Sequence, residues 1–485
     1  MNSSRRVVAA LTTVLLLLLA STAQAAPSVF WNNYEVDKIS RANLAGGSGF
    51  DLPITGAIPD DPYGLAIDAV AGQAYWTNFD SNSIGHAGLE GAGGGLLDTT
   101  GATLNDPSGP SIDPANGRIY WANAAGSSRI SYANLSGGGG GVLNIAGATP
   151  GEAYGVVVSP RTSRIYWGDY AEDAIDYANL DGSGGGVLDT SGAVVDGPVG
   201  LAIDSATNRI YWANYQGDTI AYANLNGGGG GALDTSGALV EAPNGLAIDT
   251  AAGKIYWANA GNSTIYSANL GGGGGTLFNT TGATAAGTAF PVLVEQPRNT
   301  ALPMITGKHQ PGTTLACSNG TWADQSESFL ALAPQTFSYQ WFRNGQAMAG
   351  ATAASVVASK VGAYNCGVTA TNFAGSVGVL SGTDFSVNAT VGFKKVTFNR
   401  KKGTATLRVA LTGAGRLDLF GKGVANVSRK KATGTVKLVV RSSGKAKIKL
   451  RSTGKAKVKA TISYTPEGGK AIKRHKTVVL KKKLR

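Results

Sequence analysis

Five acidic residues recur at nearly constant intervals in the first half of this 485-residue chain: Asp61, Asp106, Glu152, Asp196 and Glu241, each just ahead of a short apolar segment. Carboxylates gathered at such a period would offer oxygen donors to a cationic ligand or a divalent ion. Asp-Pro and Glu-Ala-Pro are also ordinary turn chemistry, and both readings stand at this stage. Glu35, Asp37, Asp80, Glu172, Asp173 and Asp218 would join the same acidic rim, with Glu295 beside them. A second set is cationic. Lys445, Lys447, Lys449 and Arg451 alternate with Ala446, Ile448 and Leu450, and Lys455, Lys457 and Lys459 continue the alternation. Read as strands, these residues put their charges on one face about every 6.7 Å, a spacing suited to an extended polyanion.

The composition bounds what can position these groups. Hydrophobic residues at 43% and charged residues at 15% describe globular material, and 70 glycines without a collagen period point to the turns of an all-β protein. The net charge of +12 conceals a division: residues 391 to 485 hold 28 Lys or Arg against two acids, Asp418 and Glu467, giving +26, whereas residues 1 to 390 hold 14 against 28, giving −14. An acidic body carries a basic end, so partners have to be considered separately for each. Arg5 and Arg6, the apolar run from Val7 to Ala20 and Ala23-Gln24-Ala25 read as a secretory signal over residues 1–25, and that run is too short to span a bilayer. A mature chain without a transmembrane segment is expected, secreted or held non-covalently at the cell surface.

Aromatic-Trp pairs at Phe30-Trp31, Tyr75-Trp76, Tyr120-Trp121, Tyr166-Trp167, Tyr211-Trp212 and Tyr256-Trp257 place the tryptophans 45, 45, 46, 45 and 45 residues apart. Each unit holds four short runs, as in GLAID, RIYWAN, TIAYANL and GALDTSG, divided by Gly, Asn, Asp and Pro. A unit of this length without helical periodicity is a four-stranded propeller blade. Small residues suit the crowded axis, and Ile-Tyr-Trp fills the space between sheets. The first copy lacks an inner strand. Residues 289 to 295 (AFPVLVE) fall where the next one is due and are predicted to complete the sixth blade, with Pro291 tolerated because an innermost strand pairs on one side. The aspartates of the GLAID copies, Asp68, Asp113, Asp204 and Asp249, with Ser159 replacing one, are expected to cap the turns into the second strands.

The run GLAIDSATNRIYWANYQGDTIAYANLNG (200 to 227) resembles the YWTD repeat of the low-density-lipoprotein-receptor class B type, whose members form six-bladed propellers and bind varied protein ligands. The resemblance covers residues 27 to about 296, within a propeller expected over 26–296. Asn33, Asn78, Asn123, Asn214 and Asn259 stand where that motif ends in Asp, which only Asp169 keeps; Asn both accepts and donates, so the fold survives the change. No ligand-specific residue follows from the resemblance.

Beyond the repeats, Cys317, Trp341 and Cys366 are spaced by 24 and 25 residues, with Tyr364 two before the second cysteine. Over residues 297–389 this resembles bacterial immunoglobulin-like domains, which implies a Cys317–Cys366 disulfide, a core Trp341 and a tyrosine corner at Tyr364. A metal pair is the alternative for the thiols, without a nearby His or third Cys to support it. Residues 390–485 are expected to form a basic, β-sandwich-like domain.

The expected function is non-catalytic. His86 is the only histidine of the first 290 residues, and neither G-x-S-x-G nor H-E-x-x-H occurs. No cofactor and no metal is assigned. The expectation is an exported binding protein whose propeller face takes a protein or cationic ligand and whose basic end associates with an anionic envelope polymer. Nucleic acid is disfavoured by the export signal and by the lack of interleaved aromatics. A propeller enzyme of the lactonase or lyase kind, with its site at the channel mouth, and a structural envelope component are the competing readings.

Overall fold

The computed structural model describes residues 26–126, 129–148, 151–323 and 329–484. The signal expected over residues 1–25 lies outside them. Among the described residues, six sheets form the blades of a propeller, each with four strands paired antiparallel. Their inner strands are Pro62–Asp68, Pro107–Asp113, Ala153–Ser159, Pro198–Asp204, Pro243–Asp249 and Thr288–Val294. The last of these pairs with the N-terminal strand Ser28–Asn33, Ser28 opposite Val294 and Asn33 opposite Thr288, so the chain's own ends complete the sixth sheet.

Packing follows the repeat. All six blade tryptophans are fully buried between sheets, each contributing a few kcal/mol by area. Near the axis the inner strands approach so closely that a Cβ on Gly64, Gly109, Gly155, Gly200 or Gly245 would overlap neighbouring backbone. At the sixth equivalent position stands Phe290, held at φ 37°, whose ring lies against Gly109, Gly155 and Gly245 and fills the centre. The GLAID aspartates accept backbone N–H groups in the following turn, as from Val70 and Ala71 to Asp68 and from Ala251 and Ala252 to Asp249.

One expectation about closure is corrected. The sixth inner strand does not pair on one side only, because Leu330–Ala331 adds to its axial edge in parallel, Leu293 opposite Leu330. Pro291 escapes the ladder in a different way: it lies in a bulge, where the register shifts between Phe30 and Asn32. Residues 329 to 333, FLALA, are buried among Leu246, Ile248 and Leu293, and they close the channel at its glycine-loop end.

That segment belongs to a β-sandwich in which Cys317, on Thr313–Cys317, and Cys366, on Gly362–Asn372, join two sheets by a disulfide. Trp341 is buried beside it, and the Tyr364 hydroxyl donates to the Lys360 carbonyl at 2.7 Å. The sandwich also grips the closing blade: Phe373 packs edge-on against Phe30, Arg41 lies over the Phe373 ring at 4.7 Å, and the Asn372 amide donates to the Glu295 carbonyl.

The basic end is a five-stranded antiparallel sheet organised by the 17-residue strand Thr404–Phe420, which pairs with Val391–Asn399 through its first half and with Lys455–Pro466 through its second. Val427–Val440 runs along both halves, and one apolar core lies between them. Residues 445 to 451 depart from the expected strand: Gly444–Thr453 is a helix ending on Gly454 in the left-handed region. Lys, Ala, Leu and Arg are strong helix formers, and a following glycine is a favoured stop. Ala446 and Leu450, four apart, face inward, whereas Ile448, inward on a strand, is 69% exposed.

Candidate functional site

The connections into the inner strands lie on one face of the propeller and are fixed by side chains the repeat supplies. Asn33, Asn78, Asn123, Asn214 and Asn259 accept, through Oδ1, the backbone N–H of Ala286, Asp60, Asn105, Asp196 and Glu241 at 2.9–3.1 Å. Their amides donate to Ser40, Ser83, Ser131, Thr219 and Thr264. Neighbouring blades are latched as well: Asp37, Asn82, Asp173 and Asp218 accept the N–H of Asp61, Asp106, Gly197 and Ala242 at 2.6–2.7 Å. Asp37, Asp173 and Asp218 are thus committed to backbone, and the turn reading applies to them.

Asp61, Asp106, Glu152, Asp196 and Glu241 sit on this face in two adjacent registers. Asp61, Asp106 and Glu152 stand 15 residues before their blade's tryptophan, Asp196 and Glu241 16 before. Glu295 is not among them. It follows the sixth inner strand at the opposite, glycine-loop face, beside Arg298 and Asp249, where burial and the Asp249 carboxyl raise it above the usual carboxylate range. The sixth rim position is taken by the uncharged Ala286 and Gly287.

Inside the acidic rim lies a feature the sequence reading missed. Tyr34, Tyr63, Phe79, Tyr154, Tyr170 and Tyr215, all half-buried, form a continuous aromatic set, with Tyr34–Tyr63 at 5.5 Å, Tyr63–Phe79 at 5.4 Å, Tyr63–Tyr154 at 6.1 Å, Tyr154–Tyr170 at 5.5 Å and Tyr170–Tyr215 at 6.3 Å. Phe290 lies beneath, 6.3 Å from Tyr63, and the Tyr63 hydroxyl accepts from the Asn244 amide at 3.2 Å. The signal was available in columns of the repeat. Tyr34, Phe79, Tyr170 and Tyr215 each follow the last Asn or Asp of a second strand, and Tyr63 and Tyr154 are second in their inner strands. Farther out, Ile58, Val194 and Leu239 are exposed at equivalent positions, 18 residues before a tryptophan.

The electrostatics of this face favour cations. Burial, then Asp80, Asp37 and Asp60, push the Asp61 carboxyl up to about 6. Burial, then Glu152, raise the Tyr154 hydroxyl to about 12, so its ring remains a neutral π face. His86 lies away from this set, on a third strand against Tyr75.

At the basic end, Lys445, Lys449, Lys457 and Lys459 line one cleft, joined by Lys422, which the sequence reading did not single out. Lys447, Arg451 and Lys455 lie outside its lining. Among the described residues, no ion pair links this end to the propeller, and no helix is long and apolar enough to cross a membrane.

No family model matches the sequence, and no curated protein matches it. Among solved structures, the chain is similar to one in a crystal structure of a nidogen–laminin complex, at 20% identity and a TM-score of 0.47, over 55% of this chain and 98% of that one. The six sheets themselves define the propeller.

Proposed function

We infer that this chain is an exported, non-catalytic binding protein that captures a cationic segment of a protein partner on the rim face of its propeller, and that its basic end rests on an anionic polymer of the envelope. The aromatic set enclosed by carboxylates carries the first part. Ring faces attract ammonium and guanidinium groups, and Asp61, Asp106, Glu152, Asp196 and Glu241 supply the counter-charge around them. Exposed Ile58, Val194 and Leu239 add the apolar contact that a peptide, rather than a bare ion, would use. The disulfide and the signal-like N-terminus fit an oxidising, exported setting.

The test is binding of fluorescently labelled oligolysine and oligoarginine peptides to the full mature chain. Asp61→Asn with Asp106→Asn and Asp196→Asn is expected to weaken binding by ~tenfold or more; unchanged affinity would remove the rim as the site. Because Asp61 must be ionised to contribute, affinity is also expected to rise between pH 5 and 7.

A further inference from the structure

Among the described residues, the basic end contains a cleft lined by five lysines and by no acid. It opens between the helix Gly444–Thr453 and the strand Lys455–Pro466, has a volume of about 620 Å³, and is lined by Lys422, Lys445, Lys449, Lys457 and Lys459. The helix places Lys445 and Lys449, four residues apart, on one helical face, the strand places Lys457 and Lys459, two apart, on one of its faces, and all four line the cleft. Of the two acids in residues 391 to 485, Asp418 is paired with Arg416 and Glu467 lies in the 466–468 turn, so no carboxylate lines the cleft. Five lysines line this one concavity, and a ligand that brings negative charge relieves the repulsion among them.

We propose that this cleft binds closely spaced phosphate groups, as carried by a phosphodiester polymer or by a small polyphosphate. This rests on the reading that the basic end takes an anionic partner and assigns its chemistry and place. Lysine acts as a point-charge donor well suited to phosphate oxygens, and Ser443 and Thr477, also lining residues, are hydroxyl-bearing. No aromatic side chain lines the cleft, so it has no platform for stacked bases, and single-stranded nucleic acid is the poorer fit.

The experiment titrates the full mature chain with poly(glycerol phosphate) and, separately, with inorganic pyrophosphate. The cleft variant is Lys445→Ala with Lys457→Ala and Lys459→Ala; the control, of equal charge change on exposed residues outside the cleft, is Lys394→Ala with Lys430→Ala and Lys437→Ala. Circular dichroism and the melting temperature of each variant verify folding. The expected result is a loss of ~tenfold or more in affinity for the phosphate probe in the cleft variant against ~twofold or less in the control. Binding of the polymer alone identifies a polymeric occupant, and binding of both probes identifies the phosphate group itself as the determinant. Equal losses in the two variants would overturn the cleft while leaving a diffuse polyanion surface. Failure of the wild-type chain to bind either probe would overturn the cleft and the anionic-partner reading together.

Discussion

The two faces of the propeller are built from the same six repeats and differ in what becomes of them. On the glycine-loop face, residues 329 to 333 of the sandwich enter the channel, extend the sixth inner strand and bury their apolar side chains. On the rim face, six half-buried aromatic rings form a linked set, with Phe290 beneath Tyr63, among a set of carboxylates. A propeller offers two candidate faces; here residues 329 to 333 cover part of one, which supports the proposal that recognition falls to the other.

The largest effect is expected from removing what both faces share. Deleting residues 288 to 295 takes away the sixth inner strand and Phe290 with it, and is expected to abolish the cooperative melting transition; an unchanged calorimetric transition would mean the ring does not depend on its closure. Next comes an attack on one face alone. Leu330→Asp with Leu332→Asp places two carboxylates among buried aliphatic side chains and is expected to cost about 3–5 kcal/mol and to expose the sandwich junction to protease. Binding of cationic peptides to the refolded or residual native chain is expected to persist, because the rim does not use these residues; loss of binding at native-like folding would couple the faces and weaken the contrast.

A smaller effect distinguishes one blade from the rest. Asp176 stands beside Asp169 where two other blades pair an Asn amide with a Ser hydroxyl, Asn33 with Ser40 and Asn123 with Ser131. Burial, then Asp169 and Glu172, raise Asp176 to about 7, and among the described residues neither of its oxygens has a hydrogen-bond partner. A carboxyl raised in the folded state contributes stability that is complete below its ordinary value near 4 and is lost as pH rises through about 7. Asp176→Ser is therefore expected to raise the melting temperature at pH 8 and to do so progressively less towards pH 4. An equal shift at both ends would show that ionisation of Asp176 does not set the difference.

Legibility in the sequence followed repetition. Six copies of an aromatic-Trp pair at a fixed interval identify the blade, its strand order and the missing inner strand, because each copy must solve the same packing problem. The Asn that replaces the motif's Asp could be read for its donor and acceptor roles for the same reason. Where the chain solves a problem only once, the signal fails. Lys-Ala-Lys-Ile-Lys-Leu-Arg alternates like a strand, yet its residues have high helix propensity, and glycines at 444 and 454 bracket it as a helix. The entry of residues 329 to 333 into the channel depends on long-range burial that no local pattern encodes. Glu295 was misplaced because its sequence position, after rather than before an inner strand, puts it on the other face. The aromatic set was legible in principle, in two columns of the repeat, but tryptophan dominated the pattern.

Hydrogen–deuterium exchange of the full mature chain with and without a saturating oligoarginine peptide tests the difference between the faces most directly. Protection is expected in segments 60–64, 152–155 and 213–218, which carry Asp61, Tyr63, Tyr154 and Tyr215, with none in the glycine runs at 137–141, 227–231 and 271–275. Protection confined to those glycine runs would contradict it.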